Sequence, residues 1–112
     1  MTRRAVGMAG EALAASWYEA RGGRVLARNW RCREGELDLV VLVGRTVVFC
    51  EVKARSSLAF GSPLEAVTAA KQAQVRLVAR RWLAASGTGA ASVRFDVAGV
   101  LGGAVEVVEG AF

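Results

Sequence analysis

Histidine and isoleucine are absent from the 112 residues, and cysteine occurs only twice. Without histidine, a histidine-dependent catalytic triad and any nuclease that uses histidine as general base are excluded. Cys32, in an expected loop, and Cys50, in an expected strand, form no disulfide framework and read as free thiols. The same shortage argues against a tetrahedral zinc site. There is no run of about 18 apolar residues, and the stretch Met1 to Gly10 is too short, and is broken by Glu11, to serve as a signal peptide. A cytoplasmic protein that does not meet a membrane is expected.

What is present fits one domain spanning residues 1–112, large enough to bury roughly two-thirds of its unfolded surface. The net charge is +5, and the cations are overwhelmingly arginine. Guanidinium groups favour planar, bidentate contact with phosphate, so nucleic acid is the natural partner. The competing explanation is a genomic base bias that enriches arginine and alanine and depletes isoleucine.

The chain is organised around Gly35 to Arg55, where two apolar, β-branched runs, Leu37 to Val43 and Thr46 to Val52, flank the turn signal Gly44-Arg45. This predicts a β-hairpin. With Val43 opposite Thr46, the pairing continues to Asp38 opposite Glu51 and Glu36 opposite Lys53. Alternation of side chains then puts all four charged residues on one face at the open end. Two facing carboxylates in an apolar sheet need compensation. Lys53 supplies one positive charge, and Mg²⁺ or Mn²⁺ between Asp38 and Glu51, with a backbone carbonyl and waters, would supply the remainder. Read alone, Glu51-Val52-Lys53 is equally an ordinary strand-end ion pair.

Around the hairpin, Gly7 to Arg21 predicts a helix ending before Gly22-Gly23, with Glu11 on the same face as Ala14, Ala15 and Tyr18. Arg24 to Trp30 reads as a strand and Arg31 to Glu34 as a basic loop. Trp30 either closes the core or stacks on a base. Ser62 as N-cap, Pro63 and Glu65 predict a second helix that runs to about Ala85. Lys71 lies within its apolar stripe of Leu64, Val67, Val75, Val78 and Trp82, so it either snorkels or reaches the hairpin carboxylates. Arg76, Arg80 and Arg81 form a basic flank, either solvated or phosphate-binding. Two strands follow, Ser92 to Leu101 and Ala104 to Val108, with Asp96 as a local partner of Arg94.

This order, with an acid on the first helix, then Asp, then Glu-x-Lys, resembles the PD-(D/E)xK, restriction-endonuclease-like nuclease superfamily. More narrowly, the chain resembles the YraN family of small bacterial proteins, also known as UPF0102. Gly10-Glu11, Arg28-Asn29-Trp30-Arg31, Gly35-Glu36-Leu37-Asp38-Leu39, Phe49, Glu51-Val52-Lys53, Arg55, Phe60-Gly61, Lys71, Arg94-Phe95-Asp96-Val97 and Ala111-Phe112 carry the resemblance. It implies an α/β fold with a mixed central sheet flanked by helices (αβββαββ) and a metal-dependent endonuclease acting on DNA, with Holliday-junction resolvases among the relatives. On the same terms Asp38, Glu51 and the Val52 carbonyl would bind Mg²⁺ or Mn²⁺, with Lys53 acting on the attacking water. Glu11, Glu36 and Lys71 would support them, and Arg31, Arg33, Arg55, Arg76, Arg80 and Arg81 would meet nucleic acid, in a homodimer on branched substrates. Val107 stands where the family usually carries a histidine. The alternatives are a non-catalytic nucleic-acid-binding accessory protein on the same fold, and a structural domain in which the charged quartet is an internal ion-pair network.

Overall fold

The computed structural model describes residues 3–55 and 67–112. The elements are α1 (Arg3–Glu19), β1 (Arg24–Cys32), β2 (Gly35–Val43), β3 (Thr46–Arg55), α2 (Ala69–Ser86), β4 (Ser92–Leu101) and β5 (Ala104–Val108). The five strands form one mixed sheet in chain order. All neighbours are antiparallel except β3 and β4, which run parallel with α2 between them in the chain. This is the expected restriction-endonuclease-like αβββαββ arrangement.

The sheet is apolar on both faces because each face carries a helix. On one side Ala14, Ala15 and Tyr18 of α1 pack on Leu39, Val41, Val48, Cys50 and Ala98. On the other, Val75, Val78, Ala79 and Trp82 of α2 pack on Leu37, Val40, Val47 and Phe49, with Trp30 against the same cluster. Trp30 therefore closes the core. Small residues bring α1 close, since a Cβ at Gly10 would stand 3.0 Å from that of Ala54.

The hairpin tip is as expected: Val43 pairs with Thr46, and Gly44 takes φ 60°, the left-handed conformation that a tight two-residue turn needs. Other boundaries differ. Helix α1 begins earlier than Gly7, at Arg3, because nothing in Arg3 to Val6 opposes a helix. Strand β1 runs on through Arg31 and Cys32, which pair with Glu36 and Gly35, so the basic loop shrinks to a turn at Arg33-Glu34. The helix start expected at Ser62, with Pro63, Leu64 and Glu65, lies outside the described residues. Within them, α2 begins at Ala69, and the Thr68 side chain caps it by accepting a hydrogen bond from the Lys71 N–H. Lys71 thus sits in the first turn of α2 rather than midway along it. Both thiols are free, and burial pushes that of Cys50 up to about 12, leaving it inert.

Candidate functional site

The antiparallel ladder between β2 and β3 closes at Leu39 and Cys50. Beyond that pair the strands part, and the Asp38 carboxylate enters the gap, accepting the Val52 N–H at 2.9 Å. In an extended strand a residue's N–H and C=O leave by the same edge, so the Val52 carbonyl also faces this opening. Asp38 therefore lies close to the sheet plane at the mouth of the hairpin.

Simple alternation fails here. Glu51 and Lys53 share the parity of Val47 and Phe49, which face α2, and the Glu51 carboxylate meets Lys71 Nζ at 3.8 Å. Glu36 and Asp38 gather instead with Glu11 of α1, one carboxylate oxygen from each lying within 4.8 Å of the others. The expectation that Glu36, Asp38, Glu51 and Lys53 emerge together on one face is corrected accordingly. Leu37 packs toward α2 and Leu39 toward α1, so β2 changes phase across Asp38. The predicted pairing of Glu36 with Lys53 is likewise replaced, since Glu36 pairs with Arg31 across β1 and β2 at 2.9 Å. Asp38 joins the two groups: its carboxyl interacts with Glu11 and Glu36 on one side and with Glu51, Lys53 and Lys71 on the other.

Burial first, and then the charges of neighbouring acids, raise the proton affinity of Glu11, Asp38 and Glu51. Burial, and then the charge of Asp38, push Glu51 up to about 7, against the opposing pull of Lys71 and Lys53. Asp38 is raised by burial despite the Val52 hydrogen bond and Lys71. Glu11 is raised by burial and by Asp38 and Glu36, while a hydrogen bond from the Asn29 side chain and the charge of Arg28 hold it back. Of these, Glu51 is the one brought near neutrality, where a proton and a cation compete for the same site.

The basic residues are deployed unevenly. Arg31 pairs with Glu36 and Arg81 with Glu34 at 3.4 Å, although both guanidinium groups are largely exposed. Arg76 is exposed, and its guanidinium lies over the rings of Phe95 and Phe112, at 5.0 and 5.5 Å from their centroids. Arg33 and Arg80 are exposed. The Arg55 side chain lies outside the described residues. An open groove of about 540 Å³, lined by Arg31, Arg33, Glu34, Glu36 and Gln74 among others, runs beside the acidic centre.

Three participants were not foreseen from sequence. Gln74 donates to the Glu34 carbonyl at 3.0 Å and packs against Gly35, tying α2 to the β1–β2 turn. Tyr18 donates to the buried Asp96 at 2.6 Å, which extends the expected Arg94–Asp96 pair into a network tying α1 to β4. Asn29, on the strand facing Asp38, lies near enough to Glu11 to lower its proton affinity. Its only signal was its place in Arg28-Asn29-Trp30-Arg31, since asparagine is the residue after glycine most at ease in a left-handed conformation.

Fold and site together define a mixed α/β domain of nuclease-like architecture with an acidic, lysine-flanked centre at the open end of its central hairpin. The model of the family described as "Uncharacterised protein family UPF0102" matches residues 10–100. The chain belongs to that family. A UPF0102 protein of Beutenbergia cavernae is 57% identical over 87% of this chain and 82% of its own length. One from Frankia casuarinae is 54% identical over 83% and 79%. A third, from Acidothermus cellulolyticus, is 46% identical over 98% of this chain and 95% of its own length.

Proposed function

We propose that the chain is a divalent-cation-dependent endonuclease that hydrolyses phosphodiester bonds in DNA, with branched or otherwise deformed DNA as its substrate. The observation that carries this reading is the convergence of Glu11, Glu36, Asp38 and Glu51 with Lys71 where the hairpin opens. The donors are all hard carboxylate oxygens, which suit Mg²⁺ or Mn²⁺, and their mutual repulsion is what such an ion relieves. Asp38, with Glu11 and Glu36, would hold the ion, and Glu51 and the Val52 carbonyl adjoin that position. When bound, the cation supplies Lewis-acid polarisation of the phosphodiester and activation of water.

The chain's own residues supply the remainder. Lys71, anchored in the first turn of α2 by the Thr68 cap, keeps positive charge beside Glu51. Lys53, two residues further along β3, would orient the attacking water and offset charge gathering on the phosphoryl oxygens. Arg31 and Arg33 border the groove that a strand leaving the centre would follow. So small a domain has little surface beyond its core, so a homodimer is the assembly that would span two strands.

The test is calorimetric titration with Mg²⁺ and Mn²⁺, paired with cleavage assays on linear duplex, single-stranded and four-way-junction DNA. Wild type is expected to bind the ion and to cleave, while Asp38→Asn and Lys53→Ala abolish cleavage and Glu51→Gln weakens binding. Cleavage that survives Asp38→Asn would overturn the site. Tight junction binding without cleavage under every metal condition would replace the enzyme with the accessory protein.

A further inference from the structure

Asn29 has φ 48°, the one non-glycine positive φ among the described residues, and it lies in the interior of a strand. Asparagine takes that conformation more readily than any residue but glycine, and inside a strand it marks a place where the backbone departs from regular pairing. Its position explains the departure. Ala27 pairs with Val40 and Trp30 with Leu37, and all four residues pack on the α2 side. Each strand therefore advances an odd number of residues between two positions on the same face, which the strand period of two forbids unless one step is skipped. The skip falls between the Arg28–Leu39 and Trp30–Leu37 pairs, where Asn29 stands across from Asp38.

We infer that Asn29 is the positioning residue of the acidic centre: its left-handed backbone turns the Asp38 side toward α1, and its amide holds the Glu11 carboxylate against Asp38 and Glu36. The inference rests on the nuclease reading only in taking that centre to be the cation site. Glycine at this position keeps the backbone and loses the amide, alanine loses both, and these two variants separate the two roles.

The experiment measures Mn²⁺ binding by calorimetry and thermal stability for wild type, Asn29→Gly, Asn29→Ala and Asp38→Asn, with NMR of the Asn29 side-chain amide and the Glu11 carboxyl carbon. Asn29→Gly is expected to melt no lower than wild type yet to bind Mn²⁺ roughly tenfold more weakly, as when a ligand-orienting partner is removed. Asn29→Ala is expected to lose both affinity and stability. Independently of metal, the Asn29 amide resonance should move in Glu11→Gln, and the Glu11 carboxyl carbon should move in Asn29→Gly. Wild-type affinity in Asn29→Gly, or no reciprocal shift, overturns the inference. Reciprocal shifts in a wild type that binds no Mn²⁺ would leave the positioning intact and sink the nuclease reading instead.

Discussion

Two acidic side chains are buried among the described residues, Asp96 and Glu51, and they are treated in opposite ways. Asp96, fully enclosed in β4, accepts hydrogen bonds from the Tyr18 hydroxyl at 2.6 Å, from Arg94 Nε and Nη2 at 2.9 Å each, and from the Gly110 N–H at 3.0 Å. Its oxygens are satisfied by a bidentate guanidinium and two further donors. Glu51, hardly more exposed, has Lys71 at 3.8 Å and another carboxyl, Asp38, as its neighbours. A carboxylate whose donors all come from the fold acts as a structural tie. One left beside more acids is poised to take a proton or a cation from solution.

The sharpest break between the two is stability. Asp96→Ala leaves the Tyr18 hydroxyl without its acceptor and the part-exposed Arg94 guanidinium with Glu109 alone, at 3.7 Å, so the loss should fall at the low end of the cost of breaking a buried pair, about 3 kcal/mol. Chemical denaturation should show that loss at any pH near neutrality. Glu51→Gln should cost nothing of that order in metal-free buffer, because it removes repulsion. A comparable loss at Glu51 would place it among the structural acids.

Next in size is the pH dependence. Glu51 is raised from 4.5 to about 7 in the folded protein, so between those values the folded state holds more proton than the unfolded chain. Its contribution to stability is therefore present at low pH, is lost as the pH rises through the folded value, and changes no further above it. The metal-free protein should be more stable near pH 5 than near pH 8, with roughly 1–3 kcal/mol traceable to this group. Glu51→Gln should flatten the profile. Saturating Mn²⁺ should raise stability most at the alkaline end, since the ion competes with the proton.

A smaller effect tests the tie itself. Tyr18→Phe removes one donor from Asp96 while the Arg94 fork and the Gly110 N–H remain, so about 0.5–1.5 kcal/mol should be lost. The effect on Mn²⁺ affinity should be nil. A drop in affinity would mean that the network reaches the acidic centre through the intervening strands.

What the sequence discloses of these regions follows the range of the interactions. The hairpin tip is legible because Gly44-Arg45 and the apolar runs beside it act locally, and Lys71 is legible because a lysine within an apolar stripe needs a counter-charge. The Thr68 cap is not legible because the position three residues on is Lys71, so no capping box marks it. Tyr18 and Asp96 are 78 residues apart, and no pattern on either element announces the bond. The phase change at Asn29 and Asp38 is invisible to strand alternation counted outward from the tip, because a single left-handed residue on a neighbouring strand resets it. The acids are therefore recognisable as a group, but alternation assigns them to one face when they come from two.

The same contrast between satisfied and unsatisfied charge extends to the arginines, where the smallest effect is expected. Arg31 and Arg81 are held by Glu36 and Glu34, whereas Arg33 and Arg80 are exposed and enter none of the ion pairs among the described residues. A paired guanidinium reaches a phosphate only by giving up or sharing its carboxylate, so it releases fewer counterions from DNA than an unpaired one. Arg33→Ala and Arg80→Ala should each lower the log–log salt slope of duplex DNA binding by about 0.9 for every phosphate the variant leaves unneutralised. Arg31→Ala and Arg81→Ala should lower it by less, with no change in Mn²⁺ affinity for Arg81→Ala, whose partner Glu34 lies outside the acidic cluster. Fluorescence anisotropy across a salt series measures all four slopes. Equal reductions would mean that the surface pairs open when DNA binds, and a slope near zero in wild type would remove nucleic acid from the account altogether.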